Sequence, residues 1–143
     1  MASQPSERVT ITGAADPQTV NNTTISASID MSKFHEALFI LQAGAIPSGG
    51  SVTAKLQEDS VSNFASPSDV TGKAMTAFAD TDDGKQVLFN LKAEEMGSGE
   101  RYARLLVTGS AHANILACLA LGLSPRLGPA SDDKAATVAQ IVT

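Results

Sequence analysis

The sequence predicts an all-β protein: an antiparallel β-sandwich of about eight strands, with jelly-roll-like connections and little helix. Two observations predict it. Short apolar runs alternate with polar residues at a period of two, the spacing that sends successive side chains to opposite faces of a strand. Gly, Pro, Asn, Asp and Ser punctuate those runs about every ten positions, the rhythm of a sandwich or barrel rather than of βαβ units.

The elements follow in order. "RVTITG" (8–13) alternates Val9 and Ile11 with Thr10 and Thr12, and "AADPQTVNN" after it is turn chemistry. "TTISASID" (23–30) sets Ile25, Ala27 and Ile29 against Ser26 and Ser28. Ala37-Leu38-Phe39-Ile40-Leu41 does not alternate; its length fits a central strand buried on both faces. "AIPSGG" is then expected to turn the chain so that this strand pairs with "SVTAKLQED", where Val52, Ala54 and Leu56 share one face. Residues 59–75, "DSVSNFASPSDVTGKAM", are too long for a hairpin turn, and loops of that length carry function or cover another surface. "QVLFNL" (86–91) and "YARLLVTG" (102–109) resume the alternation. A hairpin-like "TGSAHAN" leads into "NILACLALGL", which propensity alone would allow as helix; the preceding strand and Pro125 favour strand. "DDKAATVAQIVT" is open between helix and coil. The predicted core comprises Ile25, Ile29, Leu38, Ile40, Val52, Leu56, Val87, Phe89, Leu105, Val107, Ile115 and Leu119.

At 143 residues the chain fits one domain with a core large enough to need no disulfide or metal. The expected organisation is a flexible arm over 1–7, the sandwich over 8–127 and a second arm over 128–143. Hydrophobic residues make up 43% and charged ones 17%, so the chain is not disordered by composition, and a net charge of −5 disfavours a direct nucleic-acid partner. Up to Val70, Arg8, Lys33 and Lys55 stand against Glu7, Asp16, Asp30, Glu36, Glu58, Asp59 and Asp69, an asymmetry suited to meeting a basic surface. "MASQPSERVT" has no apolar signal region and no run reaches the roughly 20 residues of a membrane span, so a soluble protein made in a cytoplasm is expected.

Candidates for chemistry are few. Cys118, the only cysteine, lies in an apolar run and reads as a small buried hydrophobe. "DTDDG" (80–84) approaches a calcium loop but lacks its spacing and its closing Glu, and reads as an acidic turn. His35 and His112, expected in different loops, have no ligand-spaced partner. No serine sits in a G-x-S-x-G elbow, and no glycine cluster has a phosphate-cradling arrangement. No catalytic, cofactor or metal residues are therefore assigned, and the chain is not read as an enzyme. Arg101 and Arg104, three apart on a strand, face opposite ways and cannot form one anion clamp. Candidate partner contacts are Phe64, the odd aromatic in the long connection, with Asp59 and Asp69 beside it. With no Trp and one Tyr, Tyr102, the chain has little to offer as a sugar platform, which weakens a carbohydrate-binding sandwich.

The order of "ISASIDMSKFHEALFILQAGAI", "GGSVTAKLQED", "DVTG", "QVLFNL" and "RYARLLVTGSAHANILACLAL" resembles small structural proteins of tailed bacteriophages encoded in the head module, over roughly 8–127. "D-M-S-x-F" and "Y-A-R-L-L-V-T" carry the resemblance. It implies a β-sandwich, often a jelly roll, serving as a capsid decoration or cement protein: a homotrimer on the virion surface, partnered by the major capsid protein. A tail or head–tail joining protein is the alternative it leaves open.

Overall fold

A computed structural model describes residues 4–127 and 137–142; parts of both expected arms (1–3, 128–136 and 143) lie outside the described residues. After a single helical turn, α1 (Pro5–Arg8), the chain runs through β1 (Val9–Val20), β2 (Thr24–Asp30), β3 (Phe34–Ala43), β4 (Val52–Asp59), β5 (Ser68–Ala74), β6 (Gln86–Lys92), β7 (Tyr102–Gly109) and β8 (Asn114–Pro125). Two four-stranded sheets result, ordered β1-β8-β3-β6 and β2-β7-β4-β5, and every pairing is antiparallel. Neighbours in sequence lie in opposite sheets, except β4 and β5, which pair as a hairpin. That is the strand order of a jelly roll, and the predicted eight-stranded sandwich is the observed fold.

The space between the sheets is filled by Phe39, Leu41, Phe89, Leu91, Leu116 and Cys118 from one side and by Ile25, Ile29, Val52, Leu56, Leu105 and Val107 from the other, all buried. Phe34 closes one end, its ring so close to Gly122 that a Cβ there would sit 2.6 Å from a ring carbon. At one side of the sandwich the edges β1 and β2 touch: a Cβ on Gly13 would lie 2.6 Å from the Ser28 backbone, and Thr12 Oγ1 donates to the carbonyls of Ser28 and Ala120, both at 3.2 Å.

Several expectations need correction. The strand over 37–41 is central, but β3 lies between β8 and β6, and "AIPSGG" carries the chain across to the other sheet instead of turning it back beside β4. "TGSAHAN" likewise crosses between sheets, because β7 and β8 belong to different ones. "AADPQTV" continues β1 to Val20 through a register irregularity between Ala15 and Gln18, so turn residues here mark a bulge rather than a break. Residues 68–74 of the supposed long loop form the edge strand β5, leaving 60–67 as the connection. His35 lies in β3, not in a loop. Four predicted core residues, Leu38, Ile40, Ile115 and Leu119, face outward, with Ile115 and Leu119 43% and 37% exposed, while Ala37, Phe39, Leu41, Leu116, Cys118 and Ala120 take the inner positions. Both sets are apolar, so period alone could not tell the faces apart.

Candidate interaction surfaces

The outer face of the β1-β8-β3-β6 sheet is built by those outward residues. Cross-strand registers align them in rows: Ile11, Leu121 and Leu38 in one, and Ala14, Leu119, Ile40 and Leu88 in the next. Leu88 is 61% exposed. On β3 and β6 charge is confined to one end, where Glu36 and Lys92 are cross-strand partners, and at the other end Gln86 Nε2 donates to Gln42 Oε1 at 2.7 Å; on β1, Asp16 borders the face beside Leu119. Strand spacing of ~4.8 Å and rise of ~3.4 Å per residue, taken over four strands and from Ile115 to Leu123, give a patch on the order of 400 Å². That area takes in Asn90, Gln42, Gln86, Glu36 and Lys92 as well as the apolar rows, and it lies within the range of the largest patch on a typical monomer, which often serves an interaction.

The outer face of the other sheet is polar. Asp30, Tyr102 and Asp59 form one row across β2, β7 and β4; Ser28, Arg104 and Gln57 the next; Ser26, Leu106 and Lys55 the third. Arg104 Nε and Nη2 both donate to Gln57 Oε1 (3.0 and 2.8 Å), Gln57 Nε2 donates to Asp69 Oδ1 (3.0 Å), and Lys55 Nζ reaches Asp69 Oδ2 at 2.8 Å. The 60–67 connection folds down onto this network.

Each predicted contact residue has a place in it. Asp59 is buried, its Oδ1 accepting from the Val61 N–H (3.1 Å) and Oδ2 from the Ser66 N–H (2.8 Å), so it closes the loop at its base. Burial works to raise its pKa, but the N–H groups of Ser66, Val61 and Ser60 outweigh it and hold the carboxyl below its usual range. Asp69 is held low by its hydrogen bond from Lys55, then by Gln57. Phe64, half-buried, has a left-handed backbone (φ +50°), which a bulky residue adopts only at a cost of about 1–2 kcal/mol. Its ring lies under the Arg104 guanidinium, 4.6 Å from the centroid. The structure thus brings Phe64 and Asp69 together with Arg104 and Gln57, two residues that sequence reasoning did not select, while Asp59 anchors the base of the loop that carries Phe64. Nothing in sequence spacing announces such a network, since its members come from β4, β5, β7 and a loop.

The acidic asymmetry does not amount to an open acidic face: Asp30, Glu58 and Asp59 are buried, and Glu58 Oε2 accepts from the Gly97 N–H at 3.0 Å. The "DTDDG" carboxylates serve the chain itself, Asp82 accepting from the Ala79 N–H (2.9 Å) and Lys85 (2.7 Å), and Asp83 from the Ile46 N–H (2.6 Å). Among the described residues no three His, Cys, Asp or Glu side chains gather as a metal site, and no helix is long and apolar enough to cross a membrane. Burial pushes the Cys118 thiol up to about 11, so it stays protonated at neutral pH.

No protein-family model matches the sequence, and no curated protein does. Among solved structures, the chain is similar to a protein of the disulfide-linked pili of Bacillus endospore appendages (13% identity, 87% of this chain and 96% of that one, TM-score 0.41), to a CBM4 protein (12%, 78% and 67%, 0.44) and to a chain of Broad Bean Stain Virus (13%, 90% and 96%, 0.41). These likenesses are too distant to bear on what this chain binds.

Proposed function

We propose that this protein is a virion structural protein of a tailed bacteriophage, a capsid decoration or cement protein that binds the assembled head and stabilises it against internal DNA pressure. The observation that carries the reading is the two-sided surface of a single jelly roll: one sheet face left apolar, the other presenting a shaped loop locked to a charged network. A protein with two such faces and no assigned catalytic residue is suited to holding other proteins in place. A shell under pressure fails where capsomers part, and a protein that binds only the assembled lattice opposes that by mass action. Several weak contacts in one oligomer multiply, which is what a homotrimer contributes.

In this reading the 60–67 loop, with Phe64 and Asp69 and with Asp59 as its anchor, meets the major capsid protein on the virion exterior. A sugar-binding role finds little support on this face, because Arg104 covers the Phe64 ring and the Arg101 guanidinium lies 5.0 Å from the Tyr102 centroid. Electron microscopy of purified particles tests the proposal. Density for this chain on the shell lattice is expected; density confined to the tail or neck would overturn decoration in favour of a tail or head–tail joining role.

A further inference from the structure

We infer that the outer face of the β1-β8-β3-β6 sheet is where copies of this chain meet one another. The inference stands on the free protein and does not depend on the virion reading. Three observations name a second copy as the occupant. The first is charge. The chain carries a net −5, yet across β8, β3 and β6 this face holds only Glu36 and Lys92, side by side and of opposite sign, with Asp16 at its β1 margin. Two identical acidic molecules repel least where the local charge cancels, whereas a strongly charged partner would find nothing here to steer it.

The second is chemistry. Leu38, Ile40, Leu88, Leu119 and Leu121 occupy outward positions on three adjacent strands, and a flat sheet face of this kind is buried by packing another sheet ~10 Å away. An identical face supplies one, and the amides of Gln42 and Gln86 and the Glu36–Lys92 pair supply donors and acceptors for its rim.

The third is area. A patch on the order of 400 Å² is about half of the ~800 Å² that each partner contributes to a stable interface. The remainder is at hand. Residues 138–141 line a groove against Val9 and Ile11 at the β1 side of this face, where Ile141 is 63% exposed. The C-terminal segment thus adds apolar surface beside the face, enough for an association that depends on concentration.

Sedimentation and light scattering of the full chain test the inference. The mass is expected to rise from 14.7 kDa to two or three times that value with increasing concentration, while an Ile40→Lys, Leu88→Lys variant stays at 14.7 kDa with an unchanged circular dichroism spectrum. A wild-type protein that remains at 14.7 kDa up to ~1 mM, or a folded variant that associates like wild type, overturns it. Should the double variant not fold, maleimide labelling of Leu88→Cys decides. Labelling should slow several-fold at high protein concentration relative to Thr53→Cys on the opposite sheet, and equal slowing or none overturns the inference. A twofold mass would leave the face standing and remove the trimer from the proposed function. A chain that associates through this face yet is missing from purified particles would remove the virion reading alone.

Discussion

Arg104 joins the 60–67 loop to the sheet beneath it: its guanidinium stacks over Phe64 at 4.6 Å while two of its N–H groups donate to Gln57 Oε1 at 3.0 and 2.8 Å. The left-handed backbone at Phe64 is an unfavourable conformation, and the stacked guanidinium, worth about 0.5–2 kcal/mol, offsets it. The loop is thereby presented in one shape rather than many.

Under the proposed decoration role, attachment to shells is expected to depend on that pair more than folding does. Phe64→Ser and Arg104→Ala are each expected to leave the circular dichroism spectrum intact, to lower stability by about 1 kcal/mol, and to weaken binding to assembled heads. Their effects on binding should be strongly non-additive, because either change frees the same loop. A double-mutant cycle on particle binding checks this, and additive losses would mean that the two side chains act separately.

Acid should loosen the protein through a second pair. Arg101 Nε and Nη2 reach the two carboxylate oxygens of buried Asp30 at 3.0 and 2.8 Å, and the hydrogen bond from Arg101 holds that carboxyl at about 2 against an ordinary 3.8. A pKa lowered on folding means that the folded state favours the charged form. Its stabilisation is full above about pH 4 and is lost as pH falls towards 2. Because Arg101 is half exposed, solvent screening limits the contribution to about 1–2 kcal/mol. Melting temperatures between pH 2 and 5 should fall more steeply for wild type than for Asp30→Asn. Parallel curves would show that the pair is not the source.

Adjacent residues on β6 should differ sharply. Phe89 is 5% exposed in the core and Leu88 is 61% exposed on the outer face. Phe89→Ala is expected to cost about 3–5 kcal/mol in urea unfolding. Leu88→Ser should cost under about 1 kcal/mol, provided the protein is dilute enough to be monomeric.

That contrast also explains what the sequence could and could not convey. On β2, β4 and β7 one face is mostly polar, with Leu106 its apolar exception, and the other is mostly Ile, Ala, Leu and Val, so Ile25, Val52 and Leu105 were assignable to the core from period two alone. On β3 and β8 the alternation is Ala37-Leu38-Phe39-Ile40-Leu41 and Ile115-Leu116-Ala117-Cys118-Leu119, apolar at every position. With no polar face to mark solvent, period alone could not choose between Leu38 and Ile40 and their neighbours Phe39 and Leu41, nor between Ile115 and Leu116, and the set assigned to the core lies outside. The misreading thus coincides with the candidate interface. Pairing was illegible for a related reason: Pro47 and Gly49 mark a turn equally well whether the chain doubles back or crosses to the other sheet. The Phe64–Arg104–Gln57–Asp69 network depends on tertiary proximity alone, though the aromatic within a polar loop pointed to its centre.

A last test concerns Asn114, a polar residue at the start of β8 that sequence reasoning passed over and the structure buries completely. Its Nδ2 donates to the carbonyls of Val20 (3.1 Å), Ser110 (3.3 Å) and His112 (3.0 Å), tying the end of β1 to the link by which the chain crosses from β7 to β8. Asn114→Ala withdraws a two-hydrogen donor shared among three carbonyls, of which Ser110 and His112 keep backbone N–H donors, and opens a small void beside Gly50, where a Cβ would lie 2.7 Å from Asn114 Oδ1. A loss of about 2–4 kcal/mol is expected. Asn114→Asp preserves the shape but turns a donor into an acceptor facing acceptors, and should be at least as damaging above pH 5. Because the pocket favours the neutral acid, the variant's deficit relative to wild type should shrink as pH falls, opposite in sign to the Asp30 effect. Urea unfolding of the three proteins at pH 7 and pH 4.5 distinguishes this from simple loss of volume. An Asp variant as stable as wild type at pH 7 would show that the three carbonyls do not depend on the Asn114 donor.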